Sequence, residues 1–295
     1  MAESCRACPR RCGADRDVKP GFCGVPSQAV VARAAPHFGE EPCISGTHGS
    51  GTVFFSGCNL RCVFCQNRGI SRGRSGERVT VPELREILLR LRDAGVHNIN
   101  LVTPSHYAAL LAETLSGLEL GIPVVWNSSG YDSAEALRAL EGLVQVYMPD
   151  LKYSDPALAR RLSAAPDYPE TALAAIREMY RQTGPFELDA GGIMRRGVLI
   201  RHLILPGAAE NTLGVIDMIE DNLPPDKIMF SLMAQYTPMP GLERFPELQR
   251  PITRAEYERC LSYLDFSAIE HGYCQEPEAS GTELIPDFDG TGVKK

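Results

Sequence analysis

The stretch Gly57-Cys-Asn-Leu-Arg-Cys-Val-Phe-Cys-Gln-Asn67, here called the cysteine loop, carries Cys58, Cys62 and Cys65 at C-x3-C-x2-C spacing. It directly follows the apolar run 52–56, which is typical of a buried strand. Thiolates are soft ligands that hold iron–sulfur clusters, and a four-iron cluster normally takes four of them. Because this loop offers three, its spacing predicts a [4Fe–4S] cluster in which one iron has no ligand from the loop.

An open iron can bind the amino and carboxylate groups of S-adenosylmethionine, and an electron passed to the sulfonium then releases a 5′-deoxyadenosyl radical. Phe64, directly before the last cysteine, would pack near the adenine. With this aromatic residue, the cysteine loop resembles the signature of the radical S-adenosylmethionine superfamily. The alternatives are a zinc site with a distant fourth ligand, disulfides, or core thiols. Zinc sites usually pair two C-x2-C knuckles, so the spacing favours the cluster.

Length and composition indicate an ordinary globular protein. The chain has 295 residues, 44% hydrophobic and 23% charged, enough for one large core with a small appended module. It has no apolar run near the ~20 residues of a membrane span and no apolar signal-peptide core. Ten cysteines in so long a chain favour reduced thiols that bind metal. A net charge of −7 argues against a nucleic-acid surface, so we expect a cytoplasmic protein that binds neither nucleic acid nor membrane.

Residues 1–45 are predicted to form a cysteine-rich N-terminal module. The segment has little apolar periodicity and many turn residues, so it needs a cross-link such as a bound metal in order to fold. Gly13 and Gly24 each follow a cysteine, which allows backbone N–H groups to turn toward sulfur. We expect a second metal site here, either zinc or an auxiliary iron–sulfur cluster, because the spacing does not decide the metal. Its ligands would be Cys5, Cys8, Cys12 and Cys23.

Residues 46–275 alternate short apolar runs with helical patterns, which is typical of βα units around a parallel sheet. Two helices begin with capping boxes, at Thr80-Val-Pro-Glu83 and Thr253-Arg-Ala-Glu256. The fold class is therefore α/β, a partial open (β/α)6 barrel of the radical S-adenosylmethionine type. Residues 276–295 show no periodicity and are predicted to be an irregular tail. The strands are predicted at 52–56, 98–102, 123–127, 144–149, 198–205 and 227–233.

Polar residues follow several of these strands, and in a parallel barrel they would meet at one mouth. Asp150 and Lys152 lie two residues apart on an extended chain and face the same side, so they are either site residues or a local ion pair. His202 is either a site residue or a core histidine. Their common position at strand ends favours a site. The polar runs are Val102-Thr-Pro-Ser-His106, Trp126-Asn-Ser-Ser-Gly130 and Met148-Pro-Asp-Leu-Lys152.

Several of these runs are similar to the activating enzymes of glycyl radical enzymes, above all to the pyruvate formate-lyase activating enzyme. The similarity lies in Met148-x-Asp-x-Lys152, in Arg201-His-x3-Pro-Gly207 and in the cysteine loop. Cys-x2-Cys-Pro, Cys-x-Phe-Cys-Gln-Asn, Val-Thr-Pro-Ser-His-Tyr and Met-Pro-Asp-Leu-Lys-Tyr together resemble the PflX-type relatives of that activator over nearly the whole chain.

This resemblance implies roles for individual residues near S-adenosylmethionine. Met148 and Asp150 match residues that help to hold a monovalent cation beside the cofactor's carboxylate, and Asn127 and Ser128 lie where the activators have an Asp-Thr pair of cation ligands. Asn127 thus removes one charge from that site.

Three further contacts to the cofactor follow from the same resemblance. Lys152 and His202 match residues that contact S-adenosylmethionine. The activators carry Gly-Gly-Glu after the second strand to bind the cofactor's amino group. This chain has Thr103-Pro-Ser105 there, so hydroxyls or backbone carbonyls would make that contact.

Three functions remain open at this point. The first is an activase that takes hydrogen from a glycine Cα of a partner enzyme, with an electron donor such as flavodoxin or ferredoxin. The second is radical modification of a small molecule or another peptide. The third is an iron–sulfur electron-transfer or sensing protein with a fourth protein ligand, for which Cys43, Cys260 and Cys274 are the candidates.

Overall fold

The cysteine loop follows the second strand of a twisted ten-stranded sheet in the computed structural model, which describes residues 5–73, 75–277 and 286–294. The strands are β1 (Ala29–His37), β2 (Ser50–Phe55), β3 (Glu77–Val79), β4 (Ile99–Val102), β5 (Val124–Ser128), β6 (Val146–Pro149), β7 (Glu187–Leu188), β8 (Met194–Leu203), β9 (Met229–Met233) and β10 (Gly272–Cys274).

Helices and short turns connect these strands. The helices are α1 (Pro42–Ser45), α2 (Arg68–Ser71), α3 (Val81–Asp93), α4 (Ala108–Leu115), α5 (Ala134–Arg138), α6 (Pro156–Ser163), α7 (Tyr168–Thr183), α8 (Ala209–Asn222) and α9 (Arg254–Asp265).

The sheet is mostly parallel and keeps the chain order. In the described residues its parallel part runs β10-β9-β8-β6-β5-β4-β2, and β1 and β3 extend it antiparallel beyond β2. β7 pairs antiparallel with β8. This is the predicted partial barrel, and the six predicted strands correspond to β2, β4, β5, β6, β8 and β9.

Four strands of the sheet were not predicted, namely β1, β3, β7 and β10. β10 adds three residues parallel to β9. β1 lies within residues 1–45, which the sequence assigns to the N-terminal module, yet it pairs with β2 along Val31–His37. That part of the chain is therefore continuous with the barrel sheet.

The capping boxes at α3 and α9 are present as predicted. The Thr80 hydroxyl accepts a hydrogen bond from the Glu83 N–H, and the Glu83 carboxylate accepts one from the Thr80 N–H, 2.7 Å away. Such a cap stabilises a helix by about 1 kcal/mol. Leucine and isoleucine side chains at helical spacing on α3 are buried, which docks the helix on the sheet.

The tail runs along the part of β1 that β3 leaves unpaired. The Ala34 N–H donates to the Thr291 carbonyl at 2.9 Å, and the Phe288 ring packs edge-on against Phe54, with 5.4 Å between ring centroids. Residues 286–294 contain neither helix nor strand, while 278–285 and 295 of the predicted tail lie outside the described residues. Within the described part of the chain, no helix is long and apolar enough to cross a membrane.

Candidate active site

A cavity of about 260 Å³ opens at the carboxyl ends of the parallel strands. It is bordered on one side by the cysteine loop and on the others by residues from β4, β5, β8 and β9 and from the segment that follows β6. Nine residues that the sequence assigns to the site line this cavity: Cys58, Cys62, Phe64, Cys65, Thr103, Asn127, Ser128, Asp150 and Lys152.

The turn into the cysteine loop depends on Gly57. Its φ is +83°, and a Cβ at this position would lie 2.8 Å from the Cys23 carbonyl oxygen and 2.7 Å from Val25 Cγ2. The Gly57 N–H donates to the Ile70 carbonyl at 2.9 Å. The backbone can therefore turn here only without a side chain, and the turn packs directly on the N-terminal module.

Further hydrogen bonds fix the loop from the other side. The Val63 N–H donates to the Leu162 carbonyl at 2.9 Å, at the end of α6. The Arg61 guanidinium donates to the carbonyl oxygens of Cys58 and Leu60, both at 3.0 Å, and to that of Phe22. The loop is thus held between α6 and the N-terminal module, which keeps its three thiols at the cavity.

Two of the three sulfurs accept hydrogen bonds. The Leu60 N–H lies 3.4 Å from Cys58 Sγ, and the Ser163 hydroxyl donates to Cys62 Sγ at 2.9 Å. Burial raises the pKa of Cys58 to about 12 and also raises the pKa of Cys62. Free thiols here would be protonated at neutral pH, and a bound metal would release those protons.

An ion-pair chain crosses the cavity opposite the cysteine loop. Asp150 Oδ2 lies 2.5 Å from Lys152 Nζ, and Asp150 Oδ1 lies 3.2 Å from Arg201 Nε. Burial alone would raise the pKa of Asp150 and lower that of Lys152, but the opposite charges outweigh it, so the pKa of Asp150 is lowered and that of Lys152 is raised. Both groups are therefore charged at neutral pH.

Glu40 closes the floor of the cavity and was not predicted from the sequence. Its Oε2 lies 3.0 Å from the Arg201 guanidinium, and its Oε1 accepts hydrogen bonds from the side-chain amides of Asn100 and Asn127, at 3.0 and 3.1 Å. Glu40 enters from the connection between β1 and β2, away from the carboxyl ends of the strands. A search for polar residues that follow the parallel strands therefore does not identify Glu40.

Thr103 adopts a strained backbone at the end of β4. Its φ is +59°, a conformation that is rare for a β-branched residue, and its N–H donates to the Asn127 carbonyl at 2.9 Å. Strain of this kind costs about 1–3 kcal/mol and concentrates at functional sites.

Three predicted residues do not line the cavity. Ser105 is buried beside Asp132, and Met148 packs in an apolar cluster deeper in the barrel. His202 is fully buried, with Nδ1 2.6 Å from the Leu151 carbonyl and Nε2 2.9 Å from the Thr212 hydroxyl. The roles that the resemblance implies for them stay predictions.

The cysteines of the N-terminal module lie close to one another. Burial and, to a smaller extent, the neighbouring cysteines raise the pKa of Cys8 to about 11, and the thiols of Cys5 and Cys12 are hydrogen-bonded. None of the ten cysteines forms a disulfide. In the described residues, no set of three or more His, Cys, Asp or Glu side chains surrounds a single metal ion. A [4Fe–4S] cluster does not require its cysteines to surround one ion, because each thiolate binds a different iron.

Comparison with known proteins agrees with this arrangement. Residues 52–207, more than half of the chain, match the profile of the Radical SAM superfamily. The uncharacterized protein MJ0674 of Methanocaldococcus jannaschii is 31% identical over 271 residues, which cover 88% of this chain and 73% of that protein.

Among solved structures, Streptococcus suis SuiB bound to the precursor peptide SuiA has a TM-score of 0.51 at 14% identity. The match covers 74% of this chain and 46% of SuiB, so the chain spans about half the length of that protein, and the likeness concerns the fold alone. HydG, a maturase of the [FeFe]-hydrogenase, has a TM-score of 0.48 at 15% identity over 73% of this chain and 49% of that one.

Proposed function

The chain belongs to the radical SAM superfamily, whose members are enzymes, and we propose that it cleaves S-adenosylmethionine reductively at a [4Fe–4S] cluster held by Cys58, Cys62 and Cys65. One observation carries the proposal. The three thiols and the Asp150–Lys152 ion pair line the same cavity. When bound, the cluster supplies the electron that releases the 5′-deoxyadenosyl radical from the cofactor.

The residues present fit this cofactor pair. The family implies a [4Fe–4S] cluster and S-adenosylmethionine, and the cavity lining in the described residues offers three soft thiol ligands and no fourth. The cysteines considered as a fourth ligand lie elsewhere: Cys43 is buried in a separate core cluster, Cys260 is buried on α9, and Cys274 is exposed on β10. This favours an enzyme over a closed electron-transfer cluster.

The chain's own residues would bind and orient the cofactor. The Lys152 ammonium would pair with its carboxylate, because a charge-assisted hydrogen bond to a buried ammonium is strong and directional. The Phe64 ring lies in the cavity lining, where it would pack near the adenine. The Thr103 hydroxyl and neighbouring carbonyls would accept from the amino group. The same walls would exclude water from the radical.

For the substrate, we propose a glycine Cα–H of a partner enzyme. The support is the similarity of Met148-x-Asp-x-Lys152 and of the cysteine loop to the glycyl radical activators, together with the position of Asp150 and Lys152 in the cavity wall. A flavodoxin or ferredoxin in the cytoplasm would deliver the electron. The second candidate is radical modification of a small molecule or another peptide. We further propose that Cys5, Cys8, Cys12 and Cys23 hold a metal. An auxiliary iron–sulfur cluster fits them better than zinc, because in the described residues no three such side chains surround a single ion.

Product analysis tests the proposed function. Anaerobically reconstituted protein with a chemical reductant should convert S-adenosylmethionine to 5′-deoxyadenosine and methionine. Cys62→Ala should abolish the conversion, whereas Cys260→Ala, which changes a buried cysteine outside the cavity lining, should retain it.

Incubation with purified glycyl radical enzymes should then give a glycyl radical doublet in the EPR spectrum of the partner. Formation of 5′-deoxyadenosine without a radical on any partner would exclude the activase and leave the second candidate. No 5′-deoxyadenosine from well-reconstituted wild type would contradict the proposal as a whole.

A further inference from the structure

The guanidinium of Arg201 occupies the centre of the polar network below the cavity. Its Nε lies 3.2 Å from Asp150 Oδ1, one Nη lies 3.0 Å from Glu40 Oε2, and the other Nη lies 2.6 Å from Asn127 Oδ1. The side chain is 15% exposed. A guanidinium is a permanent cation, and the carboxyl groups of Asp150, Glu41 and Glu40 around it keep its pKa raised despite burial.

The contacts of Arg201 occupy side-chain oxygens that would otherwise be available to coordinate a monovalent cation. The resemblance to the glycyl radical activators places such a cation between Asp150, Met148, Asn127 and Ser128. Here both carboxylate oxygens of Asp150 are paired, one with Arg201 and the other with Lys152. The Asn127 side-chain oxygen is also bonded to Arg201.

Ser128 is engaged as well. Its hydroxyl donates to Asp132 and accepts the Gly130 N–H at 3.1 Å, and its carbonyl accepts the Asp150 N–H at 2.9 Å. The residues present therefore do not fit a monovalent cation.

The charged side chains around the cavity also argue against a bound monovalent cation. In the cavity lining, the carboxylates of Glu40 and Asp150 face the cations of Lys152 and Arg201. Behind them Glu41 Oε2 lies 3.9 Å from the Arg201 guanidinium, and burial raises the pKa of this carboxyl, which favours its neutral form. A further cation could reach the side-chain oxygens of Asp150 only by displacing Arg201 or Lys152, and breaking a buried ion pair in this way is strongly unfavourable. The Asn at position 127, in place of the activators' aspartate, removes the charge that would compensate an added ion.

We propose that Arg201 takes the place of the monovalent cation, so that this chain binds S-adenosylmethionine without potassium or sodium. The inference rests on the proposed function, since it concerns the same cofactor site. It makes Arg201 a positioning residue that supplies a fixed positive charge beside Asp150.

Two measurements test this assignment. The first is the dissociation constant of S-adenosylmethionine on reconstituted protein, in potassium chloride and in tetramethylammonium chloride at equal ionic strength. Wild type should differ by less than about twofold between the two salts. In Arg201→Ala the oxygens of Glu40, Asp150 and Asn127 become free, and affinity should be at least tenfold higher in potassium than in tetramethylammonium. Arg201→Lys keeps the charge and should stay independent of the salt.

The second measurement needs no cofactor. Thallium(I), which mimics potassium, should show no bound signal by ²⁰⁵Tl NMR on wild type, and a bound signal on Arg201→Ala. Arg195→Gln, on the same strand but 42% exposed and outside the cavity lining, is the matched control and should behave like wild type in both experiments.

Three outcomes would overturn the assignment. They are a tenfold loss of wild-type affinity without potassium, a thallium site on wild type that Asp150→Asn removes, and a folded Arg201→Ala that gains no cation dependence. If wild type binds no S-adenosylmethionine in any salt, the proposed function fails, and the thallium result still decides the role of Arg201.

Discussion

The Lys152 ammonium lies 2.5 Å from Asp150 Oδ2, and it is close enough to Cys62 to oppose the rise that burial gives to the pKa of that thiol. This pair connects the cysteine loop to the network of Arg201 and Glu40 across the cavity. Both members are charged at neutral pH, so the ammonium is ready to bind a carboxylate that enters the cavity.

Lys152→Met keeps the length of the side chain and removes its charge. We expect S-adenosylmethionine affinity to fall by about 10- to 100-fold, since a hydrogen bond to a charged group contributes about 1.5–3 kcal/mol. Equilibrium binding to reconstituted protein measures the effect. Lys227→Met removes an exposed lysine that pairs with Asp226 and should leave the affinity unchanged. Equal affinities in wild type and Lys152→Met would refute the role given to this lysine.

Gly57→Ala should disrupt the cysteine loop. The new methyl group would meet the Cys23 carbonyl, and the positive φ adds about 1–3 kcal/mol of strain. We expect lower stability and poor iron incorporation, measured by urea unfolding and by iron content after reconstitution. Gly95 has the same φ of +83°, but a Cβ added there would have no heavy atom within 4 Å, so Gly95→Ala should lose some stability and retain iron. The same iron content in both variants would speak against a rigid loop.

Thr103→Gly should separate stability from cofactor binding. Glycine relieves the positive-φ strain, which we expect to stabilise the cofactor-free protein by about 1 kcal/mol. The loss of the hydroxyl should weaken S-adenosylmethionine binding. Ala164→Gly, at a second strained position with φ +54°, should stabilise the protein to a similar extent and leave binding intact. A Thr103→Gly variant that is less stable than wild type would contradict this interpretation.

Two buried histidines predict how stability depends on pH. Burial lowers the pKa of His202 to about 4 and that of His106 to about 3, while an unfolded histidine titrates near 6.5. Between these values the unfolded chain binds more protons than the native state, so stability should fall as pH decreases from about 6.5 to 4. Each histidine contributes up to about 1.4 kcal/mol per pH unit.

Urea unfolding of the cofactor-free protein at several pH values measures this slope. His202→Gln removes one of the two groups and should reduce the slope by about 1.4 kcal/mol per pH unit. If wild type and His202→Gln lose stability equally steeply between pH 6 and 5, His202 is not the neutral buried group described above.

Much of the cavity could be predicted because parallel strands end at one edge of the sheet. Apolar runs identify the strands, and the polar residues at or just beyond their carboxyl ends, such as Thr103, Asn127 and Asp150, then lie together in the cavity lining. The capping boxes of α3 and α9 could also be predicted, because each is formed by two residues only three positions apart, and both are present.

The remaining features depend on long-range contacts that no short pattern encodes. Glu40 and Arg201 are 161 residues apart and meet only because the β1–β2 connection reaches into the barrel. Arg201 and His202 are neighbours on β8 and must point to opposite faces of the strand. The sequence pattern favours His202 for the site, whereas in the structure Arg201 lines the cavity and His202 packs behind it.

EPR spectroscopy of the reduced, reconstituted protein with and without S-adenosylmethionine tests the open-iron cluster most directly. It should be performed on wild type and on the Cys58→Ala/Cys62→Ala/Cys65→Ala variant, with iron quantified in both. We predict a [4Fe–4S] signal that shifts when S-adenosylmethionine is added and that is absent from the variant, in which any residual iron would belong to the N-terminal cysteines. A cluster signal in wild type that ignores S-adenosylmethionine would contradict this mechanism, because it would mean that a protein ligand closes the cluster.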